Sequence, residues 1–127
     1  STTMVAYSFA EVEGYSKISS YTGNGSADGP FIYTGFRPAF VITKVATGST
    51  VQGWLIRDSK RDPYNVSDTM IPANTNSADV NDAASYGIDL LSNGFKVRGT
   101  DGGVNQSGGI LIYMAFAENP FKNSNAR

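Results

Sequence analysis

A chain of 127 residues is long enough to close one hydrophobic core without staples. Its ten basic and eleven acidic residues nearly cancel and form no Lys/Arg run, which excludes a phosphate-binding footprint of the usual kind. It contains neither Cys nor His, which removes disulfides, thiolate metal sites, thiol catalysis and the usual general base together. Gly, Ser, Thr and Asn are abundant, Leu is scarce, and no long window repeats its apolar residues at a helical period, so the profile is all-β. No signal peptide or membrane span is visible, and the Ser-Thr-Thr start reads as that of a fragment or processed piece.

In chain order, Met4 to Val12 (MVAYSFAEV) is expected to be the first strand, and Glu13-Gly14 a turn. Tyr15 to Tyr21 is strand-like. The three glycines, Asn, Asp and Pro of 22–30 (TGNGSADGP) demand a loop, and Phe31-Ile32-Tyr33 is short and extended. Gly35 to Pro38 hands over to Ala39–Val45, where period two puts Phe40 and Ile42 on one face and Val41, Thr43 and Val45 on the other. Thr50 to Arg57 is the next strand, with Trp54 and Ile56 opposite Leu55 and Arg57. The lone Trp54 is expected to be core, and Gly53 beside it marks a bulge or a close backbone approach. From 63 to 84 the chain is polar and without period, a long irregular excursion of the kind that is commonly functional or interfacial. Asn93-Gly94 then predicts a two-residue hairpin turn between 87–91 and 95–98, with Phe95 and Val97 inward and Lys96 and Arg98 outward. Residues 100–108 form another loop before the apolar run Gly109–Glu118 (GILIYMAFAE), and 119–127 reads as a polar tail.

That last run is expected to be a central strand covered on both faces, around which the other strands are arranged. Its end recurs about a hundred residues earlier: Phe9-Ala10-Glu11 matches Phe116-Ala117-Glu118, and Met4-Val5 matches Leu111-Ile112, as if 3–12 were a strand shared in a tandem repeat. About eight short strands with turn signals between them describe a single antiparallel β-sandwich or jelly roll over 1–127.

No catalytic residue and no metal or cofactor is expected. Ser and Thr lack a partnering base, and the near carboxylate pairs (Glu11 with Glu13, Asp58 with Asp62, Asp79 with Asp82) recur by chance in most proteins. Asp28, Asp79, Asp82 and Asp101 sit in loops as Ca²⁺ ligands do, but the ordered loop pattern is absent, and Asx-type hydrogen bonds to turn backbones are favoured. In DSKRDPY, Arg57, Asp58, Arg61 and Asp62 are expected to form an ion-pair network pinning the excursion, Arg61 doubling as a contact residue. Among the aromatics, Tyr21, Tyr64 and Tyr86 beside loops, and Trp54, can offer flat faces to a sugar or a protein partner.

Four strings, FAEVEGYSKISSYTGNGSADGPFIYTGFRPAFVITK, RDSKRDPYN, LLSNGFKVRG and YMAFAENPFKNSNAR, span nearly the whole chain. Together they resemble a module of bacteriophage virion proteins common in marine phage tail fibres and related structural proteins. The string GYSKxxSYTGNGSxDGPFxYTGFRPAF is long and unusual enough to be specific. The resemblance implies a β-sandwich near the C-terminus of a larger fibre protein, with FKNSNAR as a natural end. It implies location on the virion, other virion proteins and a host-surface glycan or protein as partners, and the trimeric state frequent among fibres. It implies no catalytic residues, no nucleic-acid partner and no membrane insertion. Tail fibre, capsid decoration (knob) and carbohydrate-binding module of an extracellular protein remain alternative settings.

Overall fold

The computed structural model describes residues 1–50 and 52–121, and it is all-β, 40% strand against 7% helix. Nine strands form among the described residues: β1 (Ser16–Thr22), β2 (Phe31–Tyr33), β3 (Pro38–Thr47), β4 (Leu55–Asp58), β5 (Thr69–Pro72), β6 (Val80–Asn81), β7 (Ile88–Leu91), β8 (Gly94–Val97) and β9 (Ile110–Ala117). Two single-turn helices join them, α1 (Ala83–Tyr86) and α2 (Gly102–Asn105). A six-stranded sheet runs β1-β9-β3-β4-β5-β6 and a three-stranded sheet runs β2-β8-β7, all pairs antiparallel. The expected sandwich is therefore present, with the core between the sheets. Val41, Leu55, Tyr113 and Ala115 from the large sheet meet Ile32, Ile88, Leu90, Phe95 and Val97 from the small one. The Phe95 and Tyr113 rings meet edge to face across the gap, 5.3 Å between centroids.

β9 is central, bonded to β1 on one side and β3 on the other. It is not covered on both faces. Leu111, Tyr113 and Ala115 are buried, whereas Ile110 and Ile112 are exposed and Met114 and Phe116 half-covered. The inner face alone has a second sheet above it. Its near-copy, Met4 to Glu11, is no strand and is exposed throughout, so the expected first strand is absent. The chain leaves that arm through Gly14 at φ 73°, a left-handed turn that glycine adopts without cost, and enters β1 at the Val12–Ser16 bridge.

Other boundaries moved for local reasons. The excursion 63–84 carries β5 and β6, which extend the large sheet beyond β4, and Met70 is buried there. Period two holds in β4, but the core takes the face with Leu55 and Arg57, and Trp54 is turned to the other side beneath Lys44. The strand begins only at Leu55; Val51 of the expected strand and 122–127 of the expected tail lie outside the described residues. Loop 100–108 contains α2, capped by Asp101, which accepts from the Gly103 N–H at 2.7 Å.

The expected hairpin forms, yet its turn is Ser92-Asn93, because Leu91 pairs with Gly94. Gly94 is needed for a different reason: a Cβ there would sit 2.1 Å from the Ile32 carbonyl oxygen of β2. Gly94→Ala is therefore expected to push β2 off β8 and cost about 1–3 kcal/mol, the range for forced overpacking. A urea unfolding midpoint unchanged from wild type would show that the strands separate freely.

Candidate functional site

The five expected contact residues do not converge. Tyr21 lies between the sheets; its hydroxyl donates to the Val104 carbonyl at 2.8 Å, its ring packs on Phe95 and Tyr113, and burial pushes its ionisation up. Tyr86 is packed against the core. Trp54 lies on the outer face of the large sheet, with the Lys44 ammonium 5.3 Å from its ring centroid. Only Arg61 and Tyr64, the latter 84% exposed, stay on the surface near one another in sequence.

The expected four-residue ion network is also redistributed. Asp58 pairs with Arg61 and accepts from the Lys60 and Arg61 backbone N–H groups. Asp62 does pin the excursion, but through hydroxyl and amide donors: the Thr69 N–H at 2.7 Å, Thr69 Oγ1 at 3.0 Å and Ser67 Oγ at 3.3 Å. Arg57 takes no part. It is 0% exposed in the core, where its Nε donates to the Tyr86 carbonyl at 2.8 Å and neither Nη has a hydrogen-bond partner among the described residues. Burial lowers its ionisation to about 10, which still leaves it charged at neutral pH.

Two of the expected loops, 22–30 and 100–108, are tied to one another. Buried Asn105 of α2 accepts from the Asn24 N–H at 2.8 Å and donates to the Ser26 and Gly99 carbonyls at 2.7 and 3.0 Å. This side chain, with the backbone bonds from Gly25 N–H to the Asn105 carbonyl and from Gly108 N–H to the Gly23 carbonyl, holds 22–30 against 100–108. No sequence pattern marks it, since an Asn in a Gly-rich loop reads as a turn residue.

What the fold does assemble is an open groove of about 1270 Å³ at one end of the sandwich. The N-terminal arm gives it Glu11 and Glu13, β1 gives Ser16 and Lys17, and the β2–β3 connection gives Tyr33, Thr34, Phe36 and Arg37. Ser92, Asn119 and Phe121 complete the wall. Glu11 and Glu13, a sequence-near carboxylate pair, are thus on one site, with Tyr33 exposed beside them. The alternation of Phe31 and Tyr33 about buried Ile32 was the available signal for that exposure.

Its charges are mostly balanced locally. Lys17 Nζ donates to Glu11 Oε1 at 2.6 Å, and Arg37 Nε lies 3.4 Å from Glu118 Oε2 without the alignment of a hydrogen bond. The hydrogen bond from Lys17, helped by the Ile18 N–H, holds the Glu11 carboxyl below its ordinary range. A general acid for sugar hydrolysis needs the opposite perturbation. Asp28 and Asp82 are also moved down, by Lys96 and by Ser85 respectively. Asp82 and Asp101 accept from backbone N–H groups as helix caps, as the Asx reading expects, whereas the Asp28 carboxylate pairs with Lys96 at 2.8 Å. Among the described residues no three Asp or Glu side chains gather as a metal-binding set, and no helix is long and apolar enough to cross a membrane.

The arrangement suits a neutral, hydrogen-bonding surface with an aromatic rim. A family profile described as a domain of unknown function (DUF7483) matches residues 1–120, which takes in the arm, both sheets and every wall of the groove except Phe121. The chain belongs to the DUF7483 family. No curated protein and no solved structure matches this DUF7483 domain.

Proposed function

We propose that this DUF7483 domain is a non-enzymatic structural module of a phage virion, displayed on a tail fibre or the particle surface, where it contacts the host envelope or a neighbouring subunit. One observation carries the reading. The string that resembles phage virion modules, Gly14 to Phe40, supplies most of the groove lining: Gly14, Ser16, Lys17 and Tyr33 to Arg37. The most distinctive part of the sequence therefore lines the open groove at the end of the sandwich. Its chemistry supports contact rather than turnover, because Glu11 is held ionised by Lys17 and no His or Cys exists to act as base. The stapling of 22–30 to 100–108 by Asn105 supports a stiff scaffold, and weak contacts gain strength when a particle displays many copies.

Gold-labelled antibody against the chain is expected to decorate intact particles, and purified domain is expected to bind host cells or a purified virion subunit. A chain missing from particles that binds neither would defeat the proposal. A carbohydrate-binding role is favoured by one feature, the exposed ring of Tyr33 at the groove mouth. Loss of envelope-glycan binding on Tyr33→Ala would select that role; decoration of the capsid rather than a fibre would select the knob setting.

A further inference from the structure

The outer face of the six-stranded sheet carries an apolar row, part-buried to exposed, over which no second sheet lies among the described residues. Register places Ile18 of β1 beside Met114 of β9, Met114 beside Ile42 of β3, Ile42 beside Ile56 of β4, and Ile56 beside Ile71 of β5. Five apolar side chains thus line up across five strands. Ile18 and Ile112 are exposed, and with Trp54 and Met114 they line a shallow apolar hollow in this face. Solvated faces of antiparallel sheets ordinarily alternate polar with apolar, so an unbroken row of this kind marks a surface that is covered in use.

The same chain carries a segment fitted to cover it. Met4, Val5 and Tyr7 are 76–85% exposed on an arm with no strand partner. Matching Phe9 to Phe116 puts Val5 and Tyr7 on the positions of Ile112 and Met114, so the large side chains of the arm repeat the outer-face residues of β9. The small Ala6, Ser8 and Ala10 fall on the other side, where they permit close approach. The part of the arm beyond Phe9, Met4 to Ser8, reaches about 17 Å when extended, more than the spacing of about 5 Å between the neighbouring strands that carry Ile18, Met114 and Ile112. Glu11 is held by Lys17 and the Ile18 N–H, and Phe9 packs on Phe116 at the rim of the outer face, 6.1 Å between centroids.

We infer that two copies of this chain associate by laying the arm of each, residues 4–8, across the outer face of the other, with Val5 and Tyr7 seated on Ile18, Met114 and Ile112. The inference goes beyond the virion role and does not depend on it, since it follows from the arm and the face alone.

The absence of Cys makes cross-linking a clean test. The 127-residue chain carrying Tyr7→Cys and the same chain carrying Ile112→Cys are mixed in equal amounts and equilibrated in a thiol–disulfide buffer, beside wild type in sedimentation velocity over a range of concentrations. Wild type is expected to associate as concentration rises, Ile112→Asp to sediment as a monomer with an unchanged unfolding midpoint, and the mixed disulfide to exceed both homodimers several-fold. Wild type that stays monomeric throughout overturns the inference. So does an Ile112→Cys homodimer that outweighs the mixed species, because the faces then meet without the arm.

Discussion

Asn105→Ala is expected to remove about 3 kcal/mol of folding stability, each buried partner left unmade costing about 1–3 kcal/mol. Three backbone groups lose their partner at once: the Asn24 N–H and the Ser26 and Gly99 carbonyls. Ser26 and Asn24 are on exposed chain where water can replace the amide, which keeps the loss nearer 3 than the sum of three full penalties. Gly99 has no such recourse, since its bond to Asn105 is buried. Against a domain stability of about 5–15 kcal/mol, a loss of this size is severe. Asn105→Asp sharpens the test. It keeps the acceptor for Asn24 but turns a carboxylate oxygen toward two carbonyls, so it should be at least as damaging at neutral pH and milder once the acid is protonated. Urea unfolding of the three proteins at pH 7 and pH 4 reads both effects. A loss under about 1 kcal/mol for the alanine variant would mean that the two loops are held by something else.

Arg57→Met is expected to raise stability by about 1–2 kcal/mol, an unusual sign for a fully buried position, because removing a buried charge without an ionic partner is often favourable. The depression of the guanidinium to about 10 corresponds to a penalty of about 3 kcal/mol on its charged form. Among the described residues one hydrogen bond offsets that penalty, from Nε to the Tyr86 carbonyl, and its loss costs about 1–2 kcal/mol. Methionine keeps the length and much of the volume, so the core stays filled. Arg57→Ala relieves the same charge but leaves a cavity beside Leu55 and Val41, and should lie about 2–3 kcal/mol below the methionine variant. Urea midpoints at constant slope separate the three. A methionine variant less stable than wild type by more than about 1 kcal/mol would show that the guanidinium is compensated in the core after all.

The two residues of largest expected effect were both misjudged from sequence, for the same reason. Arg57 sits in a run of charges with Asp58, Arg61 and Asp62, and a run of charges reads as a solvated patch. Alternation correctly set Arg57 and Leu55 on one face and Trp54 and Ile56 on the other. It carried no information on which of those faces meets the second sheet, and the larger Trp made the wrong one look internal. Asn105 lies in TDGGVNQSG, where every local signal is for a turn; its partners, Asn24 and Ser26, are some eighty residues away. The groove was invisible for a related reason. Glu11, Glu13 and Lys17, Tyr33 and Arg37, and Ser92 belong to three separated segments that only chain reversal brings together.

What the amino-acid order determined unaided is substantial: an all-β domain, the hairpin from Ile88 to Val97, the facing of Phe95 and Val97, the two faces of β3, and a chain without thiol or imidazole chemistry. These follow from short-range sterics, a period of two and composition, which act within a few residues. Tertiary structure alone decided that Met4 to Glu11 stands off as an arm although its near-copy is the expected central strand, that Arg57 goes inside, and that β5 and β6 join the large sheet. Each of those outcomes depends on whether an apolar face finds a second surface to exclude water from, and that surface comes from distant parts of the chain or, for the outer row of Ile18, Met114 and Ile42, from a second copy as inferred above.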